Sequence, residues 1–441
     1  MLKDRIDRLR HSTTLHQTAT LSVGTAGAQL TSVLVSLLLA RLYTPAEFGE
    51  MGVFSNCAAI LLILTTGGYE YAIVRSRDRA EASNLFALTG TVATAFALLL
   101  AALFLAADLC GLSRLVPIPY KYMLPLYLLS AALLQMLNYL SNYTEDYRRI
   151  ATSGISRSLT QAFFRIVLSY VPKTNGLISG SILGNVGACL SYWPKRHAIA
   201  RALRQHATRS AMARAARRYA NFPRYQLPSA LLNSASTSLP VLFFANFYGN
   251  EKTGFLTMTI AILYLPISFV SNSVGQVFYK KAAAQPTQSA RTFAKNLLAF
   301  SGIAAALIFT ALVLWPGGER LFSLLLGPEW ETAGRYAARL CPWLILTLCF
   351  SPISFIFDAK DRQKTEMHLN LFLFLTRIGV MLVGGFFLAD EHTVALYGLA
   401  GALLTATMGY IILRILETRP RVRRLLAALV GLMLLLWYLC L

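Results

Sequence analysis

Apolar runs of about 20 residues recur along nearly the whole of this 441-residue chain, and a run of that length is what an α-helix needs to cross a bilayer. The runs are continuous rather than alternating, which argues against a β-barrel. Composition agrees. Charged residues make up 14%, against about 25% in soluble domains, and the mean hydropathy is +0.53. Such a chain has too little polar surface to cover a water-facing globule. It reads as an all-α polytopic membrane protein.

Twelve spans fall at about 17–42, 46–69, 85–108, 122–143, 155–172, 176–193, 226–247, 254–278, 295–316, 338–358, 367–388 and 394–416. The apolar stretch 425–441 follows a basic run, Arg419, Arg421, Arg423 and Arg424. It sits at the short limit for a span and reads either as an extra C-terminal helix or as an interfacial segment. The N-terminal segment MLKDRIDRLRHSTTLHQ is basic, and the apolar run after it is too long for a signal-peptide core, so it reads as a retained first span.

The net charge of +21 is an orientation signal. With the N-terminus cytoplasmic, thirty-one Lys and Arg fall in cytoplasmic segments. Eight fall on the periplasmic side: Arg41, Arg114, Lys121, Lys173, Lys252, Arg320, Arg335 and Arg339. Asymmetry of this size is what the positive-inside rule describes, and it removes any need for a nucleic-acid partner. The six cysteines are scattered without a CxxC or Cys/His cluster, so neither a metal site nor a disulfide framework is indicated. No cofactor motif and no catalytic constellation stands out. There is no Walker A loop, and the longest periplasmic loop, about 317–337, is too short for a catalytic domain.

The halves echo each other. Tyr43-Thr-Pro-Ala-Glu-Phe-Gly49 and Tyr248-Gly-Asn-Glu-Lys-Thr-Gly254 join corresponding helices at an offset of 205, and Arg165 corresponds to Arg377 at an offset of 212. Two six-helix repeats are expected, an arrangement typical of transporters. The expected organisation is an N-lobe over 1–193, a basic cytoplasmic linker over 194–225, a C-lobe over 226–416 and the basic and apolar tail 417–441. The linker reads as one basic amphipathic helix on the cytoplasmic leaflet.

Arg165 and Arg377 each lie about ten residues into an expected helix, so roughly 15 Å deep at 1.5 Å per residue. An arginine at that depth costs about 2.5–3.5 kcal/mol on insertion scales. It reads either as an anion clamp, since guanidinium matches phosphate oxygens bidentately, or as a structural arginine bonded to helix carbonyls. Helices one and seven are unusually polar, with Gln29 and Asn233 among their side chains, and helix eight adds Asn272. These groups suit a wet cavity between the lobes, or serve as glue between helices. Glu70 is the best candidate for an ion-coupling carboxylate, with pairing to Arg75 as the plainer reading.

Four segments carry a family resemblance: Gly68-Tyr-Glu-Tyr-Ala-Ile-Val74, Phe222-Pro-Arg-Tyr-Gln-Leu-Pro-Ser-Ala-Leu-Leu-Asn233, Leu265-Pro-Ile-Ser-Phe-Val-Ser-Asn-Ser-Val-Gly-Gln-Val-Phe278 and Leu326-Gly-Pro-Glu-Trp-Glu-Thr-Ala-Gly334. In that order they resemble the Wzx-type oligosaccharide flippases of the multidrug/oligosaccharidyl-lipid/polysaccharide exporter superfamily. The resemblance implies a MATE-like fold of two six-helix lobes around a cationic cavity in the bacterial inner membrane. The cargo it implies is an undecaprenyl-pyrophosphate-linked oligosaccharide, such as an O-antigen, capsule or exopolysaccharide unit, flipped by alternating access. Partners would be that lipid-linked cargo, bilayer lipids and the polysaccharide polymerase machinery. The pyrophosphate would be held by Arg165 and Arg377, and less directly by Arg41. A cation-coupled drug antiporter and a membrane polymerase or ligase are the competing readings. The scarcity of buried carboxylates counts against the first and the lack of a large periplasmic loop against the second.

Overall fold

The structure, a computed structural model, describes residues 35–112, 118–171, 174–283, 287–314, 317–360 and 362–440. Among these the chain is helical, with no strand. In chain order the α-helices are α1 (Pro45–Thr66), α2 (Glu70–Val74), α3 (Arg79–Leu109), α4 (Met123–Tyr143), α5 (Tyr147–Leu168), α6 (Gly176–Leu190), α7 (Arg196–His206), α8 (Arg209–Arg218), α9 (Leu227–Ala283), α10 (Thr287–Phe309), α11 (Gly317–Leu326), α12 (Glu331–Phe350), α13 (Ile356–Ala359), α14 (Gln363–Phe387), α15 (Asp390–Ile415) and α16 (Pro420–Cys440).

Helix starts are written in short polar side chains. Asp78 accepts from the Glu81 N–H at 2.7 Å to open α3, and Asp146 from the Arg149 N–H at 3.2 Å to open α5. Asn175 accepts from the Leu177 N–H at 3.0 Å to open α6. Each cap satisfies a backbone donor that the first helical turn leaves unpaired.

Nine helical segments among the described residues are long and apolar enough to cross a membrane, and Gly176–Leu190 is a shorter apolar helix. The expected spans map onto these with physical reasons for each difference. The first lies almost wholly outside the described residues. The fifth, α5, carries Arg148, Arg149, Arg157 and Arg165 and is too polar to qualify. The seventh and eighth run together as α9, kinked at Gly249, whose φ of 81° only glycine adopts readily. The tail forms a 21-residue helix, long and apolar enough to span, and its Trp437 Nε1 donates to the Ala338 carbonyl at 3.0 Å.

Two expectations need correcting. The loop expected over 317–337 is mostly helical: α11 fills its first half and α12 starts at Glu331, seven residues early. The linker is two amphipathic helices rather than one. Thr208 takes an extended conformation and caps α8 with a bond from the Ala211 N–H at 3.3 Å.

The chain divides into two compact units. One comprises Glu50–Ser238 with the chain up to Tyr43. Its tightest pairing is α5 with α6, where Gly176, Gly180, Gly184 and Gly187 face Leu168, Arg165, Gln161 and Thr160. A Cβ at Gly184 would stand 2.8 Å from Gln161 Cβ, so the small-residue stripe is what lets the two backbones approach.

The other unit comprises Leu239–Leu441 with Thr44–Gly49. The segment holding α12 is its most enclosed span, 72% buried over its apolar window. Gly401 and Gly409 of α15 face Trp343 and Phe350 of α12. In this unit the two echoed segments meet. The Gly49 Cα hydrogen points at the Asn250 carbonyl, and the Gly254 Cα hydrogen at the Pro45 carbonyl and the Gly49 N–H. Gly49 and Gly254 differ by the offset of 205, and so do Pro45 and Asn250, so the contact is reciprocal: each repeat offers the other the same two positions.

Candidate functional site

In the first unit the polar face of α5 carries Arg157, Gln161 and Arg165 at intervals of four, one above the other on the helix surface. Arg165 lies in the last turn of α5, not ten residues inside it, because the helix starts at Tyr147 and ends at Leu168. Its Nε donates to the Leu177 carbonyl at 3.2 Å and its Nη2 to Ser181 Oγ at 2.8 Å. With the Gln161 amide oriented oxygen-inward, that oxygen accepts from Nη2 at 2.5 Å. The Tyr43 hydroxyl donates to the Arg165 carbonyl at 2.5 Å. These neutral acceptors anchor Arg165 between α5 and α6 without cancelling its charge.

The arginine at mid-helix is Arg157, which the expected span 155–172 places in its first turn, at the cytoplasmic end. It stands about 15 Å from either end of α5 at 1.5 Å per residue. Its Nε is buried and has no hydrogen-bond partner, in a molecule where such donors are normally paired. The signal was present in the sequence: Arg157 sits two turns before Arg165 in a segment whose capping residue, Asp146, sets the helix start eight residues ahead of the apolar run.

Arg377 is near the middle of α14 in the second unit. Its guanidinium carbon lies 5.5 Å from the centre of the Trp343 ring. Trp343 in turn meets Tyr397 edge-on at 5.4 Å and Tyr264 at 6.3 Å. A cation over an indole face gains about 0.5–2 kcal/mol, more as water is excluded, which steadies a charge that an apolar helix would otherwise reject. Arg165 and Arg377, matched by sequence offset, therefore differ in depth and in partners.

Glu70 opens the short helix α2, which lies outside the candidate spans. Gly67 and Gly68 break the chain between α1 and α2 with φ of 61° and 75°. Glu70 is 2% exposed. Its Oε1 accepts from Gln135 Nε2 at 3.4 Å, and its Oε2 has no hydrogen-bond partner. Burial pushes its carboxyl above the ordinary carboxylate range; Thr66 and the Glu70 backbone N–H pull it down and do not offset the burial. Tyr71 and Tyr139 face each other beside it, ring centres 5.4 Å apart. No ion pair joins Glu70 to Arg75, whose guanidinium lies over the Phe222 ring at 5.5 Å.

Of the remaining candidates, Arg41 is exposed in the turn before α1, and Asn233 is exposed on α9. Gln29 and the side chain of Asn272 lie outside what the structure describes.

No curated protein matches the chain by sequence. The chain is similar in fold to an inward-facing multidrug resistance MATE family transporter of the MOP superfamily, at 14% identity and a TM-score of 0.61, covering 90% of this chain and 96% of that one. It is similar to the Lipid II flippase MurJ in an inward closed conformation, at 12% identity and a TM-score of 0.61, covering 95% of this chain and 91% of that one. A MOP superfamily transporter from Pyrococcus furiosus matches at 15% identity and a TM-score of 0.54, covering 91% and 96%. The family described as polysaccharide biosynthesis protein matches residues 38–334, about two thirds of the sequence. The chain is thus a multi-pass membrane protein on the MOP transporter fold, and it belongs to the polysaccharide biosynthesis protein family.

Proposed function

We propose that this protein flips an undecaprenyl-pyrophosphate-linked oligosaccharide from the cytoplasmic to the periplasmic leaflet of the bacterial inner membrane. The observation that carries the reading is the pair Arg157 and Arg165, two guanidinium groups on one helix face: neutral acceptors hold Arg165, and the buried Nε of Arg157 has no hydrogen-bond partner. A charged, sugar-bearing headgroup cannot enter hydrocarbon unaided, because desolvation is too costly. Guanidinium groups with no carboxylate partner offer the pyrophosphate bidentate hydrogen bonds in exchange for its water. Arg377 supplies the corresponding charge in the second unit. The likeness to the Lipid II flippase MurJ and the family's description support a lipid-linked cargo. In this reading the basic ends of the helices, the N-terminus among them, face the cytoplasm, and a polysaccharide polymerase consumes the product.

The test is reconstitution. Purified protein in liposomes should move labelled lipid-linked oligosaccharide between leaflets without changing its length. A length change would assign a polymerase instead, and no movement with normal insertion would reject the flippase.

Glu70 supports a proton as the coupling ion. Its folded-state carboxyl titrates above the unfolded value of about 4.3. The native state therefore binds the extra proton, and stability falls as pH rises from about 4.3 through the folded value. Glu70→Gln, a neutral isostere, is expected to melt higher than the parent at pH 8. The gap should close as pH is lowered toward about 4.3, and a lower melting point for the variant at pH 8 would remove Glu70 from this role. Flipping by the variant should also lose its dependence on an imposed pH gradient. Glu70 is the feature that favours the second reading too, a cation-coupled drug antiporter. Raised drug resistance on overexpression, with no leaflet exchange of the glycolipid, would select that alternative.

A further inference from the structure

We propose that the first unit holds an anionic phospholipid in a cavity beside the linker helix α7. The cavity, about 280 Å³, lies between α3, α4 and α7. Phe86, Leu137, Leu140, Ile199 and Leu203 make its apolar wall, and Arg79 and Lys195 also line it. An apolar wall with cationic groups in the same cavity matches an amphiphile whose acyl chain enters and whose phosphate stays at the basic side. A soluble anion has no use for the wall, and a neutral lipid none for the cations.

The local charges leave Arg79 for such a headgroup. Lys195 Nζ is paired with Asp146 Oδ2 at 2.6 Å. Asp78 is engaged by the Glu81 N–H at 2.7 Å, and Glu81 by the Arg77 N–H at 2.8 Å and by Arg218 at 2.9 Å. Asp146, Asp78 and Glu81 therefore each have their own partner, and Arg79 is exposed. The wider field has the same sign: no Asp or Glu occurs between Asp146 and Glu251, a stretch that contains the whole linker. Trp193, 58% exposed, carries the Arg196 guanidinium at 4.4 Å over its ring beside the start of α7, a pairing suited to the headgroup layer. Meanwhile Ile199 and Leu203 of α7 pack against the buried core of the unit rather than facing outward. The helix thus roofs a site.

The test uses the full chain, delipidated in detergent and titrated with dioleoylphosphatidylglycerol, dioleoylphosphatidylcholine or inorganic phosphate, with bound lipid counted by native mass spectrometry. Phosphatidylglycerol should bind at least about fivefold tighter than phosphatidylcholine, the ratio that one basic side chain near a headgroup supplies. Phosphate alone should not compete. Ala202→Trp, which fills the cavity, should abolish the preference, and Arg79→Ala should weaken it about fivefold. Arg214→Ala, which removes an exposed charge on α8 away from the cavity, should leave it intact. Should Ala202→Trp fail to fold, Ala198→Trp on the exposed rim of the same cavity replaces it. Equal binding of both lipids, a folded cavity-filling variant that keeps the preference, or equal losses in Arg79→Ala and Arg214→Ala would each overturn the proposal. No cargo is present in the assay, so its failure leaves the flippase reading standing.

Discussion

Gly254→Val should leave almost no folded protein in the membrane, and Gly49→Val should do the same. A Cβ at Gly254 would fall on the Pro45 carbonyl and the Gly49 nitrogen, and one at Gly49 on the Asn250 carbonyl. These are backbone atoms at two helix starts, so no rotamer change can clear them. Overpacking in a closed interior costs about 1–3 kcal/mol when side chains can adjust, and more when backbone must move. Set against a total stability of about 5–15 kcal/mol, a forced separation of two helix origins is enough to unfold the protein. The measurement is detergent melting temperature and yield. Gly302→Val and Gly431→Val are the controls, since a Cβ there meets nothing within 4 Å. Both should behave like the parent. Because Gly49 and Gly254 report one reciprocal contact, the double variant should be far less than additive. Normal yield of either single variant would reject the close approach.

That contact also marks how much the sequence revealed. The echo of Tyr43–Gly49 in Tyr248–Gly254 was legible as a pattern at a fixed offset. Its meaning, a two-way seating of the paired positions, needed coordinates, because a repeat in sequence does not say whether its copies touch. The two tyrosines that open the echo behave alike as well. Tyr43 bonds the Arg165 carbonyl at the end of α5, and Tyr248 bonds the Gly384 carbonyl at 2.8 Å and Thr393 Oγ1 at 2.6 Å where α14 gives way to α15. Span positions were legible wherever hydropathy alone decides, as in α1 and α4. They failed where polar residues sit inside a helix. Hydropathy started the fifth span at 155, after the arginines, whereas the Asp146 cap starts it at Tyr147. That eight-residue error shifted every depth on α5. It placed Arg165 at mid-helix and left Arg157 at the helix's cytoplasmic end. On α14 the expected start at 367 and the observed start at Gln363 lie closer together, and Arg377 stayed near the middle. Glu70 reads from sequence as an ion-coupling candidate at a helix end, with pairing to Arg75 as the plainer alternative. Its burial and its orphaned oxygen come from the Gly67–Gly68 break, which turns the chain back against Gln135 of α4; nothing in linear spacing encodes that turn.

The correction of depth changes which substitution should stop transport while sparing the fold. Arg157→Ala is expected to cut glycolipid flipping in liposomes by about 10²-fold with melting temperature unchanged or raised. The magnitude follows from charge-assisted hydrogen bonds to an anion, about 1.5–3 kcal/mol each, with two available to one guanidinium. The fold is spared because the Nε of Arg157 has no protein partner to lose, and removing a buried, unsatisfied donor relieves a cost rather than adding one. Arg165→Ala should differ in kind. It strips the bonds to the Leu177 carbonyl and Ser181 Oγ that tie α5 to α6, so it should lower the melting temperature together with transport. Arg157→Lys keeps the charge but not the planar fork, and should restore only part of the rate. If Arg157→Ala flips cargo at the parental rate, the mid-helix guanidinium is not a headgroup contact. If it instead loses stability as Arg165→Ala does, its role is structural, and the clamp passes to Arg377, whose own alanine variant then decides whether the proposed phosphate contact exists at all.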